Sequence, residues 1–214
     1  MAKGQNCLWP STETYLSTSG QRARRPEAYS GNSQTHDSLG PRNCVGDRRR
    51  PWSNFVHYDP ARVSKLYELE PNPGMIRMAE QQRKRTELNI EFVNLPRERL
   101  PLEDNTVDTV VSTFILCTIP GVSLAIQGIR RVLKPEGNFI FFEHGLSPDP
   151  DMCRWQRRTE PLFQWAFEGC HVTRVVPTLI EEGGFKIEQI DTAYLAPFPK
   201  SGSYCFWGVA SPQP

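Results

Sequence analysis

The stretch from residue 66 to residue 143 decides the fold of this chain, because apolar runs alternate with helical patterns along it. Its first apolar run is LYELE (residues 66–70), and its longest is VDTVVSTFIL (residues 107–116). The longer run is almost continuously apolar, which is typical of a parallel strand covered on both faces. Strands that alternate with helices predict an α/β sheet of the kind that binds nucleotides.

The segments around these two runs complete the pattern. Pro73 suits the first turn of a helix that ends in RKR (residues 83–85), and IEFV (residues 90–93) is a second short strand. The apolar residues of segment 122–133 recur on one helical stripe, KPEG (residues 134–137) ends that helix, and residues 139–142 form a buried strand.

The C-terminal part predicts a different arrangement. Residues 155–167 form an aromatic-rich helical segment, and a helix at residues 175–182 ends at Gly183 and Gly184. Residues 185–190 and 204–210 predict a terminal antiparallel strand pair.

The first 54 residues differ in composition from the rest. They hold eight Lys and Arg against four Asp and Glu, but only five of Leu, Ile, Val, Phe and Met. Such a segment buries too little apolar surface to offset its ordering entropy. We therefore predict a disordered or atypical segment at residues 1–54, followed by an α/β domain at residues 55–214.

Composition also limits the partners. The net charge is +1, and the basic N-terminal residues lack interleaved aromatics, so no nucleic-acid partner is expected. No membrane span or signal peptide is evident, which predicts a cytoplasmic protein. The six cysteines are scattered without a Cys-x-x-Cys pair, which argues against disulfides and a structural zinc site.

An ordered series of motifs carries a resemblance to a known family. The series is LEPNP (residues 69–73), VDTVV (107–111), LCTIP (116–120), IRRVLKPEG (129–137), FEH (142–144), GCHVTR (169–174) and EGGF (182–185). In this series the chain resembles the class I S-adenosylmethionine-dependent methyltransferases, especially their small methyltransferase-like branch. The resemblance implies a Rossmann-like, mostly parallel sheet, S-adenosylmethionine as cofactor, and methyl transfer to a small molecule.

The resemblance also implies a cofactor site. Glu70, followed by Pro71, stands where the family binds the ribose hydroxyls, and an acid at a strand end suits that task. Pro96 and Arg97 stand at the adenine; Pro96 replaces the usual acid, and Arg97 is either a stacking residue or an exposed one. Thr113, Phe114 and Leu116 fall where the family lines the cofactor pocket, although such residues also form ordinary core.

The family's first motif is missing from the sequence. Its first strand normally ends in a glycine-rich turn, because only glycine lets the backbone approach the cofactor closely. The corresponding text here is NCVGDRRRPW (residues 43–52), which has neither an apolar strand nor that turn. We therefore expect a sheet without a normal first strand and without the glycine loop.

Methyl transfer needs positioning and, for many acceptors, a base. His144 and Glu143 follow a parallel strand and are the candidate catalytic residues, with Cys170 and His171 as a further pair; each has a structural role as its alternative. No metal is expected from Glu143, His144, Cys170 and His171, because one element does not hold them at ligand spacing. The aromatic residues of segment 155–167 either close an apolar acceptor pocket or pack in the core.

Two functions remain open. The first is S-adenosylmethionine-dependent methylation of a small-molecule acceptor, such as a thiol or another lipophilic compound. The second is a non-catalytic remnant that does not bind the cofactor, because the glycine-rich loop is absent. A nicotinamide oxidoreductase ranks third, since its phosphate fingerprint is equally absent. The oligomeric state is not predicted.

Overall fold

The computed structural model describes residues 42–46 (backbone alone), 55, 58–69, 73–93, 100–167, 169–195 and 199–214. The strands are β1 (Arg42–Gly46), β2 (Val63–Leu69), β3 (Ile90–Val93), β4 (Val107–Thr113), β5 (Leu133–His144), β6 (Phe185–Tyr194) and β7 (Tyr204–Pro212). The helices are α1 (Pro73–Arg83), α2 (Val122–Val132), α3 (Pro150–Ala166), α4 (Val176–Glu182) and α5 (Lys200–Ser203). The strands form one sheet in the order β3-β2-β1-β4-β5-β7-β6.

The sheet is parallel except at one strand. β1, β2, β3, β4 and β5 run parallel to one another, whereas β7 runs antiparallel to both of its neighbours, β5 and β6. The predicted α/β class, the mostly parallel sheet and the C-terminal antiparallel pair are confirmed. Because the carboxyl ends of parallel strands share one edge, residues that follow β4 and β5 come close together there.

The expectation of a missing first strand is wrong. β1 lies between β2 and β4, with Cys44 opposite both Leu66 and Thr109. A strand in this position is stabilised by backbone hydrogen bonds from both neighbours, so it forms without an apolar run in its sequence. The glycine-loop region at residues 47–54 and most of the predicted disordered segment lie outside the described residues.

The core lies around β4 and β5. All seven residues of β4 are buried, as predicted for a central parallel strand. The buried face of α2, which includes Ile126 and Ile129, packs in one cluster with Phe139, Phe141 and the Ile180 side chain of α4. This packing fixes the ends of β4 and β5, and therefore fixes the residues that follow them.

Several predicted boundaries differ from the structure, and two of them lie on the central strands β4 and β5. β4 ends at Thr113, short of the predicted residue 116, because the chain turns at Phe114. β5 begins at Leu133, and its register to β4 shifts between Val107 and Thr109, so the KPEG residues bulge out of the pairing. None of the helices in the described part of the chain is long and apolar enough to cross a membrane.

Candidate active site

The loop after β4 changes direction at the carboxyl edge of the sheet. Phe114 has a positive φ of 55°, which costs a non-glycine residue about 1 kcal/mol or more. Its backbone N–H donates to the Phe142 carbonyl oxygen at 2.9 Å, which continues the β4–β5 pairing by one residue. Ligands of parallel sheets bind at this edge, so the loop lies where a cofactor and an acceptor would meet.

Glu143 holds this loop in place from the end of β5. Its side chain is fully buried, and Oε1 accepts hydrogen bonds from Ser112 Oγ at 2.7 Å and from the Ile115 N–H at 3.1 Å. Oε2 accepts from the Cys117 N–H at 3.1 Å. Burial raises the pKa of the carboxyl, whereas Ser112 and the loop N–H groups lower it. Because both oxygens face donors of the protein, this geometry favours a positioning role over that of a base.

Two thiols and an imidazole meet beside the loop. The Sγ atom of Cys170 lies 3.5 Å from His144 Nδ1, and that of Cys117 lies 3.8 Å from the same nitrogen. The three atoms all lie within 4.8 Å of one another, with both cysteines buried and His144 half-buried. Burial raises the pKa of the Cys117 thiol well above its usual range, and Cys170 and Glu143 add to the rise. The Phe114 ring packs on the His144 ring, with centroids 4.3 Å apart.

The segment between α3 and α4, which contains His171 and Arg174, forms hydrogen bonds with the loop that follows β4. The His171 N–H donates to the Cys117 carbonyl oxygen at 2.6 Å. Arg174 Nη1 donates to the carbonyl oxygens of Leu116 and Ile119, the latter at 2.8 Å. Burial lowers the pKa of Arg174, but guanidinium stays protonated in proteins. The loop is therefore held from the sheet by a carboxylate and from the other side by a cation.

The predicted pair Cys170 and His171 separates in the structure. Cys170 joins His144, whereas the His171 ring contacts Glu160 Oε1 at 2.9 Å and Gln164 Nε2 at 3.0 Å, both on α3. His171 thus connects its segment to α3, and the structure brings only Cys170 of this pair to the cluster.

Among the predicted cofactor-binding residues that the structure describes, Thr113 shows directly whether the site suits a bound cofactor. The Thr113 Oγ1 atom is buried and has no hydrogen-bond partner among the described residues. An orphaned hydroxyl at the carboxyl end of β4 fits a bound polar ligand that supplies the missing bond. Leu116 is fully buried and packs in the main core. Glu70, Pro71, Pro96 and Arg97 lie outside the described residues.

Sequence analysis missed three residues of this site: Ser112, Cys117 and Arg174. Cys117 was quoted within a matching motif, but its place one turn after a strand end is the signal that marks it for the carboxyl edge. Ser112 and Arg174 act on Glu143 and on loop carbonyls, contacts that no local spacing reveals.

The aromatic residues of α3 face in two directions. Phe163 packs on the buried cluster of Cys117, Cys170 and Val172. Trp165 is 83% exposed and Trp155 is 54% exposed, so core packing is wrong for these two. The inner face of α3 borders the candidate site, whereas its outer face is open.

A polar groove lies at the opposite, amino edge of the sheet. Two arginines of the groove connect segments that are distant in sequence. Arg130 donates to the carbonyl oxygens of Gly184 and Gln213. Arg131 donates to the carbonyl oxygen of Leu100 and to the carboxylate of Asp104. We regard the groove as structural, because its cations already have partners. It is lined by Asp104, Asn105, Gln127, Arg130, Arg131, Glu182, Gly183 and Gly184.

Known proteins similar to this chain include methyltransferases. Residues 53–141 match the Methyltransferase domain family. Over 146 residues the chain is 32% identical to the thiol S-methyltransferase TMT1B of Rattus norvegicus, an alignment that covers 65% of this chain. Over 140 residues it is 29% identical to the thiol S-methyltransferase TMT1A of Homo sapiens, covering 62% of this chain. In sequence the chain is therefore similar to S-adenosylmethionine-dependent methyltransferases, and the part that matches their domain is residues 53–141.

The alignments span 58% of the rat relative and 55% of the human one, so the chain matches little more than half the length of these curated relatives. An S-adenosylmethionine-dependent methyltransferase of Methanosarcina mazei superposes with a TM-score of 0.60 at 17% identity, covering 81% of this chain and 93% of that one. The [4+2]-cyclase SpnF superposes with a TM-score of 0.65 at 13% identity, covering 82% and 76%. At such identities the likeness shows the fold alone, and it confirms the Rossmann-like prediction.

Proposed function

We propose that this chain transfers a methyl group from S-adenosylmethionine to the thiol of a small lipophilic molecule. The observation that carries the proposal is the meeting of Cys117, His144 and Cys170 at the carboxyl ends of β4 and β5, next to the orphaned hydroxyl of Thr113. The two thiol S-methyltransferase relatives support the acceptor class.

The cofactor, when bound, supplies a methyl group on a sulfonium, and displacement by a thiolate forms the new carbon–sulfur bond and leaves S-adenosylhomocysteine. On the protein side, Thr113 would hold it through the orphaned hydroxyl, and family resemblance assigns Glu70 to its ribose. Pro71, Pro96 and Arg97 remain predicted contacts of the ribose and adenine.

The residues around the cluster divide the remaining tasks. His144 is the candidate base, since its ring lies within reach of two thiols. Glu143 positions the loop that carries Phe114 and Cys117. Phe114 and the inner face of α3 supply apolar contact for a lipophilic acceptor.

The first experiment is calorimetric titration of the full chain with S-adenosylmethionine and S-adenosylhomocysteine. We expect micromolar binding of both, followed by transfer of labelled methyl to an alkyl thiol. His144→Gln is expected to lower kcat by about 100-fold or more while the cofactor Kd stays unchanged. Cys153→Ser on α3 is the matched control. A folded protein that binds neither ligand contradicts the proposal.

The alternative is a chain that keeps the fold but does not bind the cofactor. The sequence that follows β1 favours it, because DRRRP (residues 47–51) replaces the glycine-rich turn. The same titration separates the two, since the alternative predicts no heat of binding from protein with a native circular dichroism spectrum.

A further inference from the structure

We propose that Cys117, His144 and Cys170 bind a zinc ion whose open fourth position holds the acceptor thiol as a thiolate. The metal site stands on the geometry of these side chains. The part concerning the acceptor rests on the proposed function.

The distances suit the metal. Tetrahedral zinc, with Zn–S of about 2.3 Å and Zn–N of about 2.0–2.1 Å, places a sulfur and a nitrogen ligand about 3.6 Å apart. The two sulfur–nitrogen distances here, 3.5 and 3.8 Å, lie on either side of that value. Thiolate and imidazole are also the donors that zinc prefers, and three protein ligands with one open position are typical of catalytic zinc.

The ligands are held by structure that surrounds them. Cys117 is fixed by its N–H to Glu143 Oε2, and its carbonyl oxygen accepts from the His171 N–H. The His144 ring is fixed by packing on Phe114. Outer partners of this kind orient ligands and tune a metal, so the cluster has the support that a real site requires.

The charges around the cluster also balance. Two thiolates neutralise a zinc dication, which lowers the desolvation penalty of burying the ion. A third thiolate, from the acceptor, would add one negative charge. Arg174 interacts electrostatically with Cys117, Cys170 and Glu143, so a cation is already placed to stabilise that added charge.

Zinc would change how the acceptor is activated. The S–H bond of the acceptor breaks, its proton leaves to solvent, and the sulfur lone pair binds the metal, since coordination deprotonates a thiol. The same sulfur then has a lone pair for the methyl carbon. In this arrangement His144 is a ligand and no longer a base, and its loss removes the metal.

The test is zinc binding by the full chain. Protein freed of metal by a chelator is titrated with Zn²⁺ against a chromophoric competitor, and with Co²⁺ to record thiolate charge-transfer and tetrahedral d–d bands. We expect one metal per chain. Cys117→Ser, Cys170→Ser and His144→Asn should each weaken binding by more than about 100-fold, because losing even an outer partner costs about 10- to 100-fold. Cys153→Ser should bind like the original chain.

Other results would overturn the proposal. Absence of zinc binding by a natively folded chain, or binding that survives in Cys170→Ser, excludes the metal site. Loss of two titratable thiols that a reductant restores indicates a Cys117–Cys170 disulfide instead. Circular dichroism on each variant shows whether the fold is kept.

Activity separates this inference from the proposed function. Thiol methylation by zinc-free protein overturns the inference and leaves the function standing. Zinc binding without any S-adenosylmethionine binding overturns the function and leaves the metal site standing. Methylation that stops on zinc removal and returns on its addition supports both.

Discussion

The two halves of the sheet on either side of β4 are built differently. On one side, β5 pairs with β4 over six residue pairs and with β7 over six, and the buried Glu143 carboxylate and the half-buried Arg174 guanidinium hold the loop that follows β4. On the other side, β1 is paired with β4 at two residue positions, and a separate small core under β2 and β3 includes Leu66 and Ile90. The half that is proposed to bind the acceptor therefore has the more extensive strand pairing and the more side-chain contacts to its loop.

This contrast agrees with where the sequence departs from its family. The departures, at residues 43–52 and at Pro96, concern motifs that the family resemblance assigns to the cofactor, whereas the motifs around β4, β5 and α4 match the family's series. Under the proposed function, the half around β4 and β5 would bind the acceptor, and activity would depend on whether the other half binds the cofactor. The following substitutions test the contrast.

The largest effect is expected at Gly208, in the middle of β7. A Cβ atom there would lie 2.0 Å from the backbone oxygen of Gln189 and 3.0 Å from the Phe141 ring. Because a backbone atom cannot move aside cheaply, Gly208→Ala should lower the free energy of unfolding by about 3 kcal/mol, measured by urea denaturation.

Gly169→Ala is the matched control for this substitution. Gly169 has a φ of 84°, but the nearest atom to an added Cβ is 3.6 Å away, so the cost should be only the backbone strain of about 1 kcal/mol. If Gly208→Ala and Gly169→Ala lowered the free energy of unfolding equally, close packing around β7 would not explain the effect at Gly208.

The next effect compares two Glu→Gln changes, one in each half. Glu143→Gln replaces an oxygen that accepts from backbone N–H groups by an amide nitrogen, and should cost about 2 kcal/mol of unfolding free energy. Glu91 on β3 forms an ion pair with Lys65 at 2.7 Å, but its side chain is 54% exposed. Glu91→Gln should therefore cost less than about 1 kcal/mol. If Glu91→Gln lowered the free energy of unfolding more than Glu143→Gln does, the half that contains β3 would be the one with the stronger side-chain contacts, contrary to our expectation.

Sequence periodicity was sufficient for most elements of the fold. Ile90–Val93 and the stripe of α2 were located within a residue, because a buried strand and an amphipathic helix each have their own repeat. β1 was missed since RNCVG has no such repeat and is paired from both sides. β4 was predicted to end too late, because the backbone turns at Phe114 although the apolar run of the sequence continues to residue 116.

The site was harder to predict than the fold. His144 was identified from its place after β5, but its thiol partners stand 27 residues before it and 26 after it along the chain. No one element holds two of these three ligands, so spacing rules for metal sites do not detect them. The role of Glu143 was also not readable, because its partners are backbone N–H groups of a distant loop.

A smaller effect is expected at Thr113, where the two halves meet. Thr113→Val removes a buried hydroxyl that has no partner among the described residues, so the free energy of unfolding should stay unchanged or rise by up to about 1 kcal/mol. The same change should weaken S-adenosylmethionine binding by about fivefold, the value of one hydrogen bond. Calorimetry and urea denaturation measure the two quantities.

Thr118→Val provides the contrast for Thr113. The Thr118 hydroxyl donates to the carbonyl oxygens of Phe114 and Ile115, so its loss should lower the free energy of unfolding by about 1 kcal/mol. Unchanged cofactor affinity in Thr113→Val would mean that the orphaned hydroxyl does not contact the cofactor.

The smallest effect is expected on the outer face of α3. Trp165 is 83% exposed, and its replacement by Ala should change the free energy of unfolding by less than about 0.5 kcal/mol. Phe163, two residues earlier, packs on the cysteine cluster, and Phe163→Ala should cost about 2 kcal/mol, below the range for a fully buried Phe. Urea denaturation at two protein concentrations checks both values. A loss at Trp165 that disappears on dilution would show that this face is covered by a second copy of the chain, and the acceptor half would then extend across an interface.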